Sequence, residues 1–173
     1  MGRNVEIKTR VADIAALERT VTAIGAGHGS IVIQEDTFFS CSSGRLKLRR
    51  FSAADGELIF YERSDIPGPK ASEYLRTPTQ DPDGLRVILS RTLGVVGIVR
   101  KKRVLYLHGQ TRIHLDSVEG LGDFLELEVV LDPEQSIEQG IAIARGFMRT
   151  LQVADDALEP RAYVDLLTAA NAA

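Results

Sequence analysis

The sequence predicts an α+β fold with about eight antiparallel strands and three or four helices. Segments in which polar and apolar residues alternate follow one another along most of the chain, as strands with two different faces require. The connections between these segments are mostly short, which favours antiparallel pairing over the crossovers of a parallel sheet. The chain also lacks a glycine-rich turn between a strand and a helix, so it does not resemble a dinucleotide-binding fold.

The first half of the chain is predicted to hold one helix between strands. Strands are predicted at 3–11, 31–39, 45–51, 58–63 and 72–78. The helix begins after Asp13, which can cap it, and runs to Ile24, with apolar residues at three- and four-residue spacing. Asp55-Gly56 is a strong hairpin signal between the third and fourth of these strands.

The second half is predicted to hold three helices and three strands. The strands are expected at 95–107, 111–117 and 124–131. A helix over 83–93 opens at Asp81-Pro82 and ends at Gly94. A helix over 133–150 is expected to use Asp132-Pro133 as its cap and first turn, and a short helix is expected after Pro160.

The charged residues concentrate on one face of each strand. Glu6 and Lys8 share a face in the first strand, and Lys47 and Arg49 share one in the third. The same alternation is seen for Arg63, for Lys101 with Arg103, for Arg112 with His114 and Asp116, and for Glu126 with Glu128. Phe38 and Phe39 point to opposite faces, so we expect only one of the two in the core.

The pattern alone leaves two architectures open. In a sandwich the charged faces would meet water and the apolar faces would form the core. In a barrel that binds a polyanion the charged faces would point inward. The amphipathic helices favour the barrel, because its apolar outer faces would supply the surface on which they pack.

Composition points to a cytoplasmic protein that binds a small anion. The chain has 173 residues, 44% hydrophobic and 26% charged, and we expect one domain over 1–173. It carries a net charge of −3 with concentrated basic runs, which favours a discrete anionic ligand over nucleic acid. We expect no export signal and no membrane partner, since no apolar run approaches the ~20 residues of a membrane helix. A homodimer is compatible with the sequence, which does not fix the oligomeric state.

Charges of both signs on one surface suit metal-assisted phosphate chemistry. Lysine and arginine side chains can neutralise a triphosphate, and arginine grips phosphate oxygens in pairs. Carboxylates in the same place would repel that ligand unless a cation lies between them. Hard oxygen ligands of this kind hold Mg²⁺ or Mn²⁺, which bridge to phosphates and can activate a nucleophile.

An ordered set of motifs resembles one family. The set comprises Val5-Glu6-Ile7-Lys8, Asp36-Thr37-Phe38-Phe39, Lys47-Leu48-Arg49, Lys101-Lys102-Arg103, Ile113-His114-Leu115-Asp116 and the run from Leu121 to Glu128. Together they are similar to the CYTH family, also called triphosphate tunnel metalloenzymes, which includes class IV adenylyl cyclases, thiamine triphosphatases and inorganic triphosphatases. The resemblance covers Asn4 to about Leu167. It implies an eight-stranded antiparallel tunnel with a charged interior, flanked by helices.

The resemblance also implies roles for individual residues. It implies divalent metal, Mg²⁺ or Mn²⁺, held by Glu6, Asp116, Glu126 and Glu128. It implies triphosphate contacts from Lys8, Lys47, Arg49, Arg63, Lys101, Arg103 and Arg112, with Lys70 as a further candidate. On this basis Lys8, Arg112 and His114 are the candidate catalytic residues, and for His114 the alternative is that it orients Asp116.

Two positions depart from the family pattern. The opening Glu-x-Glu-x-Lys signature begins here with Asn4, which keeps an oxygen but loses a charge. Near the C-terminus a Ser-Tyr pair of many relatives is here Ala162-Tyr163. The metal number is therefore open at this stage.

Two classes of function remain in view. The first is a metal-dependent enzyme that acts on tripolyphosphate, thiamine triphosphate or a nucleoside triphosphate, by hydrolysis or by cyclising ATP to cyclic AMP. The second is a non-catalytic module that binds a nucleotide or polyphosphate, and Asn4 is the residue that favours it.

Overall fold

Eight strands form a closed antiparallel barrel in a computed structural model that describes residues 2–171. The strands are β1 (Gly2–Arg10), β2 (Ser30–Phe39), β3 (Arg45–Ser52), β4 (Asp55–Arg63), β5 (Lys70–Thr79), β6 (Val95–His108), β7 (Thr111–Val118) and β8 (Gly122–Val130). The helices are α1 (Ile14–Ala23), α2 (Pro82–Leu93), α3 (Ile137–Thr150) and α4 (Tyr163–Asn171), with a single 3₁₀ turn at Asp155–Ala157. The predicted α+β class and the tunnel fold are confirmed.

The strand order around the barrel is β1, β5, β4, β3, β2, β6, β7, β8, and β8 pairs again with β1. Every pairing between these strands is antiparallel. The sandwich that the sequence pattern left open is therefore wrong. Closure turns one face of each strand inward, so the alternating charges line a common interior.

The apolar outer face of the barrel carries the main hydrophobic core. Ile7, Ile113 and Leu127 from three strands are fully buried in it. Val21 of α1 and Met148 of α3 pack against these side chains. The helices thus shield the outer faces of β1, β7 and β8 from water, as their amphipathic patterns predict.

One end of the barrel is closed by the C-terminal segment. Tyr163, Val164 and Leu166 of α4 are buried in a second apolar cluster with Val99 and Phe124. The Tyr163 ring meets the Phe124 ring edge to face, with centroids 4.9 Å apart. The interior is consequently accessible from the other end, and α4 forms its floor.

The start of α3 differs from the prediction. The helix begins at Ile137, where Ser136 and Gln139 form a reciprocal capping box, so Asp132-Pro133 is not its cap. Residues 132–135 instead form a turn, in which the amide of Gln135 donates to the carbonyl of Asp132. Arg3 binds three carbonyls of this turn, which explains why the chain does not enter the helix earlier.

The two adjacent phenylalanines of β2 also differ from expectation. Phe38 and Phe39 point to opposite faces, yet both are buried. Phe38 lies at the floor of the tunnel, and α2 contacts β2. The outer face of β2 is buried at Thr37 and Phe39 but exposed at Ile31 and Ile33, so both faces are shielded only at the end of the strand, which simple alternation does not anticipate.

The helices between residues 2 and 171 are all too short or too polar to cross a membrane.

The outer core predicts a large stability contrast between two matched substitutions. Leu127→Ala removes a fully buried side chain, so the free energy of unfolding should fall by about 2–5 kcal/mol. Ile33→Ala truncates a side chain that is 62% exposed and should change it by less than about 1 kcal/mol. Urea titration followed by circular dichroism measures both. Equal losses would contradict the assignment of Leu127 to the core and of Ile33 to the exposed part of the outer face.

Candidate active site

The interior of the barrel is a cavity of about 380 Å³, and nearly half of the residues that line it are charged. Its cationic residues are Lys8, Lys47, Arg49, Arg63, Arg76, Lys101, Arg103 and Arg112, and its acidic residues are Glu6, Asp36, Glu57, Glu126 and Glu128. Eight cations against five carboxylates leave an excess of three positive charges in a chain whose net charge is −3. The cavity is thus electrostatically suited to a polyanion.

The charges are divided between two walls. Strands β6 and β3, with β2 between them, carry Lys101, Arg103, Lys47 and Arg49, which we call the cationic wall. Strands β7, β8 and β1 continue the barrel from β6 and carry Glu6, Glu126 and Glu128, which we call with His114 the acidic wall. The cavity is therefore bordered by both the cationic and the acidic side chains.

Asp36 supports one half of the cationic wall. Its carboxylate accepts hydrogen bonds from Arg49 Nε and a terminal nitrogen, both at 2.8 Å, and from Lys47 Nζ at 2.9 Å. Burial alone would raise the pKa of Asp36, but Arg49 and Lys47 hold it well below its usual range. Sequence reasoning gave Asp36 no role, although its inward position in the alternation of β2 was available as a signal.

Asp116 supports the other half. It is completely buried and accepts from Arg103 at 2.6 Å, from Lys101 at 3.1 Å and from the Tyr163 hydroxyl at 3.0 Å. Burial opposes ionisation, yet the charges of Arg103 and Lys101 lower the pKa of Asp116. The structure therefore places this predicted metal ligand behind the cationic wall, where it orients the side chains of Arg103 and Lys101.

Three residues on the acidic wall come close enough to share one metal ion. His114, Glu126 and Glu128 each offer a ligand atom, and the three atoms lie within 4.8 Å of one another. Strand pairing sets this arrangement, because His114 is opposite Glu126 on β7 and β8, and Glu128 is next but one along β8. The set joins two predicted metal ligands to a residue that was predicted to be catalytic.

The carboxylates of this cluster are ionised and already contact arginines. A terminal nitrogen of Arg103 donates to Glu126, and Arg112 donates to Glu128 at 3.4 Å. Burial would raise the pKa of Glu126, but Arg103 more than offsets it and the pKa is lowered. Burial and the Arg103 charge lower the pKa of His114.

Glu6, the remaining predicted metal ligand, is paired differently. Its carboxylate accepts a hydrogen bond from Arg63. In the pairing of β1 with β8, Glu6 lies directly opposite Glu128, which belongs to the cluster. Burial is the main influence on this carboxyl and raises its pKa despite Arg63. Glu6 is therefore available to join a metal site only if Arg63 moves or shares it.

At the floor of the tunnel, several side chains that were predicted to contact phosphate donate hydrogen bonds to backbone carbonyls. Lys8 donates to the carbonyl of Arg161, and Arg63 and Lys70 donate to the carbonyl of Pro160. The Lys8 ammonium also lies 4.4 Å from the centre of the Tyr163 ring. The segment before α4 thus fixes the deepest cations of the tunnel at its closed end.

The buried lysines are easier to deprotonate than free lysine. Burial and the Arg49 charge lower the pKa of Lys47 to about 8, although Asp36 opposes the shift. Burial and Arg63 lower the pKa of Lys70 to about 8. Burial does the same for Lys8, whose pKa is also about 8. These groups remain cationic at neutral pH and begin to lose their charge just above it.

The open end of the tunnel carries apolar side chains beside its charged ones. Val32, Phe51 and Leu105 lie there, each at the strand end farther from α4. Deeper in, the side-chain oxygens of Asn4 and Gln34 are buried and have no hydrogen-bond partner within residues 2–171. Apolar surface next to unpaired amide groups suits an uncharged organic group attached to a phosphate chain.

Comparisons with known proteins agree with this architecture. The chain is 25% identical to adenylate cyclase CyaB of Aeromonas hydrophila, over 92% of this chain and 85% of that one. Its structure resembles that of a Pyrococcus horikoshii protein, with 28% identity, a TM-score of 0.85 and coverage of 94% and 98%. It shares the fold of a putative adenylyl cyclase from Hippeastrum described as having a dominant triphosphatase activity, with 16% identity, a TM-score of 0.66 and coverage of 98% and 96%.

A family model also matches nearly the whole chain. The model of the CYTH domain aligns with residues 2–163, which include all eight strands and every charged residue that lines the tunnel. The resemblance seen in the sequence motifs is thereby confirmed, and the chain belongs to the CYTH domain family.

Proposed function

We propose that this protein is a divalent-metal-dependent enzyme that acts on an organic triphosphate. The observation that carries the proposal is that the cationic wall lines the same cavity as His114, Glu126 and Glu128. The family is metal-dependent in general, and the relative from Aeromonas hydrophila is named an adenylate cyclase. Either hydrolysis or cyclisation is a nucleophilic displacement at phosphorus, and both need the same neutralisation of phosphate charge.

The residues present fit a divalent ion. Glu126 and Glu128 supply the carboxylate oxygens that Mg²⁺ and Mn²⁺ prefer, and Glu6 lies beside them. A bound ion would neutralise phosphate charge and lower the pKa of a water or hydroxyl nucleophile. Its charge would also permit a polyanion to approach carboxylates that would otherwise repel it.

The protein side chains supply binding and orientation. Arg49 and Arg103 present guanidinium groups held in place by Asp36 and Asp116, so little rearrangement is needed to grip phosphate oxygens. Lys8 extends the positive surface to the floor of the tunnel. The terminal phosphate would lie toward the floor and the organic group toward the open end.

An organic triphosphate suits the cavity better than tripolyphosphate. The volume of about 380 Å³ falls in the range of small-molecule sites, roughly 300–1,000 Å³. Phe51 and Leu105 offer apolar surface, and the unpaired oxygens of Asn4 and Gln34 offer hydrogen-bond acceptors. A bare phosphate chain would leave these groups without partners.

A non-catalytic binding module is the second candidate, and Asn4 is the observation that favours it. The residue places a neutral amide where the family signature has a carboxylate. Purified protein should be incubated with ATP, thiamine triphosphate and tripolyphosphate in Mg²⁺ or Mn²⁺, and the products resolved by chromatography. Cyclic AMP with pyrophosphate would identify a cyclase, and orthophosphate a triphosphatase. Binding without any product would overturn the enzyme proposal.

The same assay should show different effects on turnover when an inward and an outward glutamate are substituted. Glu126→Gln keeps the shape of the side chain but removes a charge from the proposed metal site, so turnover should fall by at least about 100-fold. Glu62→Gln changes an exposed residue and should leave turnover within about twofold. Full activity of Glu126→Gln would exclude this carboxylate from metal binding.

Substitution of two neighbouring lysines on β6 tests whether the ligand binds inside the barrel, because Lys101 points inward and Lys102 points outward. Lys101→Met removes one charged donor from the tunnel and should weaken binding of a non-hydrolysable ATP analogue by about 10–100-fold. Asp116 keeps two hydrogen bonds from Arg103 in this variant. Lys102→Met alters an exposed side chain and should change affinity by less than about twofold. Isothermal titration calorimetry measures both, and equal effects would contradict the proposed site.

Affinity should also depend on pH. Lys47 and Lys70 have a pKa of about 8 in the free protein, so they are charged below that pH and neutral above it. Binding of the analogue in Mg²⁺ should change little below about pH 7, a unit below this pKa, and weaken progressively above about pH 8. Calorimetric titrations across this range provide the test. Unchanged affinity at a pH about 1.5 units above the pKa would show that these lysines do not contact phosphate.

A further inference from the structure

We propose that His114 binds the metal ion directly through an imidazole nitrogen, and that the site therefore selects Mn²⁺ over Mg²⁺. This inference rests on the proposed function, because it concerns the ion that the enzyme would use. It changes the role of His114 from an acid–base group or a partner of Asp116 to a ligand. It also makes the metal site a mixed nitrogen and oxygen site.

The position of the imidazole carries the proposal. His114 Nδ1 lies 3.7 Å from Glu126 Oε2 and 3.9 Å from Glu128 Oε1. Ligands about 2.1–2.2 Å from one ion lie roughly 3.0 Å apart when adjacent and up to roughly 4.3 Å apart when opposed. Both distances fall between these limits, so one ion can be reached by all three residues with small side-chain adjustments.

The same nitrogen has no other partner. His114 is only 3% exposed, and its Nδ1 has no hydrogen-bond partner within the described part of the chain. Buried polar atoms are usually hydrogen-bonded, so an unpaired buried nitrogen beside two carboxylates is an exception that needs a cause. A metal ion among the three residues would satisfy it.

The surrounding strands hold the imidazole in this place. Ile113 and Leu115 on either side of His114 are buried in the outer core, which fixes the face that His114 presents. Asp116, the alternative partner, is already engaged by Arg103, Lys101 and Tyr163. The structure therefore gives His114 no role in orienting Asp116 and leaves it directed at the glutamates.

Ligand chemistry determines which ion such a site prefers. Mg²⁺ favours oxygen ligands and retains several waters, whereas imidazole suits transition metals. Mn²⁺ accepts both carboxylate and imidazole ligands. Asn4 strengthens this preference, because a neutral residue at the first signature position reduces the charge that would attract a hard ion.

Electron spin echo envelope modulation of the Mn²⁺-loaded protein tests nitrogen ligation directly. We expect ¹⁴N modulation that changes to the ¹⁵N pattern when the protein is labelled with ¹⁵N-histidine. The signal should vanish in His114→Gln and persist in His28→Gln, which alters an exposed histidine. Stoichiometric Mn²⁺ binding without histidine modulation would overturn the proposal, and so would failure to bind Mn²⁺.

Calorimetry tests the selectivity. His114→Gln should weaken Mn²⁺ binding by about 10-fold or more while changing Mg²⁺ binding by less than about threefold. Equal losses for both ions would indicate a structural role and overturn the inference, and circular dichroism would verify that the variant is folded.

Failure here is distinguishable from failure of the proposed function. Turnover of triphosphates with no histidine modulation would overturn only the ligand assignment. Mn²⁺ bound by His114 without turnover of any triphosphate would overturn only the proposal that the protein is an enzyme.

Discussion

The cost of burying charge inside a closed barrel governs this structure. An unpaired charge in an apolar interior loses the solvation of water, and the loss is several kcal/mol per ion even after the protein relaxes. In this chain, buried charges of opposite sign form ion pairs that offset the loss. Asp36 and Asp116 each bind one lysine and one arginine, which offsets the lost hydration of these buried side chains.

This pairing prepares the cavity for an anion. The two aspartates hold the cationic wall in place but do not cancel it, because an excess of positive charge remains in the lining. Side chains that are already oriented lose less freedom when a phosphate binds. His114 and the glutamates line the same cavity beside this wall, and Arg103 contacts Glu126, so one ligand could reach both kinds of group.

Much of this arrangement was predictable because strand residues alternate with period two. Arg112, His114, Glu126 and Glu128 were expected on one face, and that face proved to be the interior. The pattern could not decide between interior and exterior, because a charged face satisfies water and a polyanion equally well. Two other observations favoured the interior: the family motifs, and the amphipathic helices, which require apolar strand faces on the outside of the barrel.

Other features depend on contacts between residues distant in the chain. The pairing of Asp116 with Tyr163 requires the C-terminal helix to close the barrel, which local patterns cannot show. The approach of His114 to the glutamates depends on the register of β7 and β8. The start of α3 was misplaced because a capping box at Ser136 competes with an equally good signal at Asp132.

The central claim is that the two walls hold a triphosphate between them inside the barrel. A crystal structure with Mn²⁺ and a non-hydrolysable ATP analogue tests it most directly. The account predicts phosphate oxygens against Arg49, Lys101 and Arg103, with the anomalous signal of manganese beside Glu126 and Glu128. An analogue bound on the outer surface, or a tunnel without phosphate or manganese at saturating concentrations, would contradict it.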